Sequence, residues 1–180
     1  MRFIKPSYDI WNPPHYFEGI IEHIERAGRV CYKSEDRIKY DECDNSLTAK
    51  PFVDKLIESG HLSVLEHGTV YLKIDFDYVD FSEKYDIPIL PDIILKYVDN
   101  KYTKTVIIEN SGNYTAYITS NYRTIVENKW EDDLQYLCEP TEYHEKRVTV
   151  HFVCDRGVSH EFVRHRVFSF AQESTRQMAA

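Results

Sequence analysis

No stretch of this chain comes near the run of about 20 apolar residues that a membrane-spanning helix needs; its apolar side chains are scattered along all 180 residues. The first ten residues, MRFIKPSYDI, have no basic start leading into an apolar stretch and no small-residue cleavage site, which argues against a secretory signal. The four cysteines, Cys31, Cys43, Cys138 and Cys154, form no CxxC pair, so neither a zinc knuckle nor a dithiol redox site is indicated. Reduced thiols in a cytoplasmic protein are expected. Cys31 has no histidine at a spacing that would activate it as a nucleophile. Positive charge is also in deficit. A net charge of -8 opposes general nucleic-acid binding, which works by displacing counterions from phosphates with a basic surface. Internal repeats, low-complexity tracts and the regular βαβ alternation of a dinucleotide-binding sheet are missing too.

What remains is mixed helix and strand in a length that suits one domain, residues 1–180. After Pro13 and Pro14, Phe17, Ile20, Ile21 and Ile24 give one apolar face to a helix over 16–29, with Gly28 as its end. Phe52, Val53, Leu56 and Ile57 do the same for a helix over 50–59, capped by Gly60. Residues 69–74 read TVYLKI, a half-buried strand with Val70, Leu72 and Ile74 on one face and Thr69, Tyr71 and Lys73 on the other. The stretch 75–104, punctuated by Pro88 and Pro91, reads as an irregular excursion with one short helix. A strand over 113–119 and a helix over 121–137 follow, the latter closed by Pro140. Residues 147–154, RVTVHFVC, alternate as a strand with Val148, Val150, Phe152 and Cys154 on one face and Thr149, His151 and Val153 on the other. Asp155 is placed to cap a helix over 156–166. The expected fold class is α+β, an antiparallel or mixed sheet with packed helices.

Against an acidic background, Arg164, Arg166 and Arg176 lie within thirteen residues of one another, together with His165, Ser169, Gln172 and Ser174. The guanidinium fork suits phosphate and carboxylate oxygens, and hydroxyls add hydrogen bonds to the same ligand. Cations at a helix end also answer the helix dipole, and the composition alone leaves both explanations standing. At about 100° per residue, a helix through 166 would turn Arg164 and Arg166 to nearly opposite sides, which points to a site assembled at a junction, between subunits for instance. Two histidines six residues apart, His61 and His67, with Glu66 beside them lack the four-residue spacing of helical metal ligands, and no metal is expected.

The stretch 164–176, RHRVFSFAQESTR, resembles the signature of flavin-dependent thymidylate synthases, in which RHR is followed after seven residues by Ser and two residues later by Arg. Two further stretches resemble that family in the same order along the chain: AGRVCYKSED at 27–36 and GHLSVLEH at 60–67. The resemblance implies a fold like that of the thymidylate synthase-complementing proteins, with the region around 75–119 as an insertion. It implies methylation of dUMP to dTMP, with methylenetetrahydrofolate and NADPH as co-substrates, FAD as the cofactor and a homotetramer with shared sites as the assembly. By position, His61 would lie at the flavin face, Ser63, Glu66, Arg164, His165, Arg166 and Gln172 would hold FAD, and Glu161, Arg164, Gln172, Glu173, Ser174, Thr175 and Arg176 would hold dUMP. Arg176 would meet its phosphate, and Ser174 is included in the catalytic set as a binding group because no neighbouring base activates it. The sequence departs from the pattern at Ala171 and Gln172, where familiar members have Asn and Glu, and at Glu161, where a Gln often stands. It stops four residues after Arg176, where the motif normally continues through a Tyr into a C-terminal segment, so a C-terminally truncated member is expected. A non-catalytic nucleotide-binding or assembly module is the alternative.

Overall fold

A computed structural model describes residues 5–12, 14–77, 80–82, 87–165 and 167–173. In chain order the elements are β1 (Ser7–Trp11), α1 (Phe17–Tyr32), α2 (Ala49–Glu58), β2 (Thr69–Phe76), β3 (Asp80–Ser82), β4 (Ile87–Ile89), α3 (Asp92–Val98), β5 (Lys104–Asn110), β6 (Asn113–Asn121), α4 (Tyr122–Asn128), β7 (Thr149–Val153) and α5 (Arg156–Phe162). Short 3-10 segments occupy Glu35–Arg37, Leu62–His67 and Glu131–Tyr136. The strand pairing among the described residues is antiparallel, and the class is α+β. The chain divides into two compact units, one built from the described residues up to 14, from 18–68 and from 147 onward, the other from 15–17 and 69–146. No described helix is long and apolar enough to cross a membrane.

In the first unit Ile20, Ile21, Ile24 and Ala27 of α1 and Val53 and Leu56 of α2 are buried, as their 3.6-residue spacing requires. The end of α1 differs from expectation. The helix runs through Gly28 to Tyr32 and closes with Lys33 in the left-handed region (φ 50°). There Ser34 N–H donates to the Arg29 carbonyl at 3.0 Å and Lys33 N–H to that of Val30 at 3.3 Å, the paired bonds of a Schellman ending. Gly28 serves packing instead: a Cβ there would lie 2.6 Å from the Phe52 ring of α2. At the end of α2, Gly60 (φ 73°) does take the left-handed position, with His61 N–H donating to the Leu56 carbonyl at 2.9 Å.

β7 pairs with β1, a strand that the short N-terminal segment did not advertise. β7 is the expected strand, and its two faces meet different neighbours. Thr149 bonds His23 at 2.9 Å and His151 stacks on Trp11, whereas Val148 and Phe152 are exposed. Asp155 caps α5 as expected, accepting from Val158 N–H at 3.1 Å, but the helix stops at Phe162 rather than at 166.

The second unit is built on a three-stranded sheet in the order β2-β6-β5. β2 was expected to alternate, yet Tyr71 is buried along with Val70 and Leu72, its ring edge-on to His15 and His144. The excursion over 75–104 contains the expected helix, α3, and also the β3-β4 pair; β5 begins at its end. The helix expected over 121–137 is two pieces, because Lys129 adopts φ 59° and ends α4 before the 3-10 segment begins. Trp130, just past the break, packs edge-on against Tyr97 of α3, and the Tyr97 hydroxyl donates to Asp133, which also takes Lys96. A buried carboxylate with two such partners costs far less than a bare one.

Candidate functional site

Two helix ends in the first unit bring Tyr32 and His61 together. α1 terminates just after Tyr32 and α2 terminates just before His61, and the Tyr32 hydroxyl lies 2.8 Å from His61 Nδ1. His61 caps the 3-10 segment Leu62–His67 without spending its side chain on the backbone. That segment sets Ser63 at the surface, buries Val64 and Leu65, and carries Glu66 and His67 to Ser169 and Phe170.

Residues 169–173 lie along these two helix-end segments. Ser169 Oγ donates to Glu66 at 2.8 Å, and the His67 ring bonds the Phe170 backbone. The Gln172 backbone bonds the Cys31 thiol, while its side-chain amide donates to Ser159 of α5 at 2.7 Å. Glu173 pairs with Lys33 at 2.8 Å. The stretches 27–36, 60–67 and 164–173, far apart in sequence, therefore share one surface through four residue pairs and the Tyr32–His61 contact.

Electrostatics follow from what is covered. Burial pushes the Cys31 thiol up, only partly offset by the Gln172 backbone bond, so the sulfur is a protonated, weak nucleophile at neutral pH. Burial, then the neighbouring Cys31, raises the Tyr32 phenol, which stays an O–H donor. Burial pushes His67 down despite the Phe170 bond, so its ring is neutral near pH 7, with Nε2 enclosed and, among the described residues, lacking a hydrogen-bond partner. The hydrogen bond from Lys33 to Glu173 holds the lysine charged.

Of the residues expected to hold ligands, His61, Ser63, Glu66, Gln172 and Glu173 fall within this surface. Glu161 is on the last turn of α5, and Arg164 lies just beyond that helix, paired with Glu161 at 3.2 Å and 73% exposed. The helix expected to run through 166 ends at Phe162, before Arg164, and the expected divergence of Arg164 from Arg166 lies outside the described residues. The His165 ring is exposed, with Phe168 at 6.4 Å between centroids. Arg166, Ser174, Thr175 and Arg176 lie outside the described residues. Tyr32 and Lys33 were not singled out from the sequence, although both lie inside AGRVCYKSED; the signal was their place next to a helix end that Gly28 seemed to set four residues earlier. Among the described residues no group of three or more His, Cys, Asp and Glu side chains gathers as a metal site would require.

Residues 15–85 match the family described as Thymidylate synthase complementing protein. The matched stretch includes α1, α2 and GHLSVLEH, and with them the Tyr32–His61 contact; the α+β architecture accords with that family. Comparison with curated proteins gives no match, and comparison with solved structures gives none.

Proposed function

From the family match over residues 15–85, we propose that the chain serves thymidylate synthesis as a flavin-dependent enzyme, methylating dUMP to dTMP with methylenetetrahydrofolate and NADPH. The observation that carries this reading is the convergence of the three signature stretches, since ligand sites concentrate where loops are held together by a rigid scaffold. The donors present suit a phosphate-bearing ligand such as FAD. The Arg164 guanidinium is exposed and pairs with an exposed carboxylate, a contact worth under about 1 kcal/mol that a phosphate would readily replace. Bound FAD would supply the redox chemistry, passing reducing equivalents from NADPH to the one-carbon unit.

The protein's own groups bind and orient. Arg164, His165 and Arg166 hold FAD, with Ser63, Glu66 and Gln172 completing its surroundings, and His61 stands at the face that the co-substrates approach. Glu161, Gln172 and Glu173 border the nucleotide with Arg164, and Ser174, Thr175 and Arg176 hold dUMP, Arg176 at its phosphate. The chain acts in the cytoplasm as one domain with 75–119 inserted, in a homotetramer with shared sites.

One observation favours a second reading, a flavin- or nucleotide-binding module without turnover. Glu66 and Glu173 are already engaged by Ser169 and Lys33, so the surface is closed on itself. Chromatographic measurement of dTMP after incubating the 180-residue chain with dUMP, methylenetetrahydrofolate, NADPH and FAD separates the two. Product is expected; saturable FAD binding with no dTMP assigns the chain to the second reading.

A further inference from the structure

We propose that Tyr32 is a positioning residue for His61: its phenol donates to Nδ1, holding the imidazole in the tautomer that carries its proton on Nε2. The 2.8 Å separation is that of a hydrogen bond, and Nδ1 is the ring nitrogen nearer the backbone. Occupying Nδ1 leaves Nε2 as the nitrogen that an incoming ligand meets. His61 is exposed, so that nitrogen is within reach of solvent-borne molecules.

The position of the phenol follows from what holds Tyr32. Its ring packs edge-on against Phe52 at 6.2 Å, and Phe52 is fixed between the Arg29 guanidinium, 4.3 Å from its centre, and Gly28, where no Cβ obstructs it. The phenol beside the half-buried Cys31 thiol keeps its proton, so an O–H is there to donate to Nδ1 throughout the neutral range. An imidazole that accepts at Nδ1 must, when neutral, carry its proton at Nε2. His61 therefore offers its ligand an N–H and serves as a donor to a carbonyl or other acceptor atom rather than as a base. That the ligand is the flavin or its co-substrate rests on the function proposed above; the tautomer does not.

Long-range 1H–15N NMR of the full chain, with the His61 signals assigned through His61→Gln, tests the tautomer without any ligand. The expected spectrum has Nε2 protonated and Nδ1 shifted by an accepted hydrogen bond, and Tyr32→Phe moves Nδ1 to its unbonded position. A protonated Nδ1, or an Nδ1 signal unmoved by Tyr32→Phe, overturns the proposal; if the Phe variant does not fold, the wild-type spectrum decides alone. FAD affinity gives the functional half. Tyr32→Phe is expected to weaken binding about five-fold, the worth of one hydrogen bond near 1 kcal/mol, and to have no effect in the His61→Gln background. An equal loss in both backgrounds shows that Tyr32 acts without His61 and overturns it. Absence of FAD binding by the wild type counts against the proposed function and leaves the NMR result to decide the role of Tyr32.

Discussion

Lys33 occupies a backbone conformation that costs an L-residue roughly 1–2 kcal/mol, directly beside the Tyr32–His61 contact. Its salt bridge to Glu173 joins two side chains that are each about half exposed, and such pairs contribute little. Lys33→Gly is therefore expected to raise stability by about 0.5–1 kcal/mol, measured by urea denaturation. A loss of stability would mean that the Glu173 pair holds more than its exposure allows. The same residue shows why part of the site was hidden in the sequence. A glycine in a helical pattern reads as a stop, and Gly28 stands five residues before the true one; its absent Cβ makes room for Phe52, which no local pattern reveals. Tyr32 and Lys33 were thereby placed outside the helix whose end presents them.

Elements whose apolar period had one solution were legible: α2 with Gly60, the core of α1, and the Asp155 cap of α5. Elements set by a single specific contact were not. Trp130 against Tyr97 and the Asp133 carboxylate between Tyr97 and Lys96 divide the helix expected over 121–137, although Leu134 and Leu137 continue its apolar spacing. On β7 the alternation left both faces open, and the Thr149–His23 and His151–Trp11 contacts decide which one meets α1 and β1. β1 is a five-residue strand whose burial pattern is exposed in all but Trp11, so it had no apolar signal to read. The three stretches that resemble a flavin-dependent family were visible as motifs, but their mutual contacts run between residues as far apart as Glu66 and Ser169. Only the folded chain puts those two side by side.

At the scale of the molecule, each unit carries a histidine whose pKa is pushed down by burial: His67 in the first and His144 in the second. His144 is committed as a neutral ring, accepting from Thr141 N–H at 3.0 Å and donating to the Leu72 carbonyl at 3.2 Å. Above the ordinary histidine value of 6.5 both rings are neutral whether the chain is folded or not. Below it the unfolded chain takes protons that the folded one resists, so stability falls with acidification, by at most about 1.4 kcal/mol per pH unit for each histidine. Urea denaturation at a series of pH values between 7.5 and 5.5 checks this range, and His144→Gln should flatten the dependence while lowering stability throughout. A profile that is level or rises toward acid would contradict it.

Titration of FAD against the purified chain, followed by quenching of flavin fluorescence, bears most directly on whether the converging stretches form a ligand site. Saturable binding is predicted, weakened roughly ten-fold by Arg164→Ala, the effect of losing one charge-assisted contact to phosphate, with no change in melting temperature because that side chain is exposed. No saturable quenching, or binding indifferent to Arg164→Ala, would contradict it.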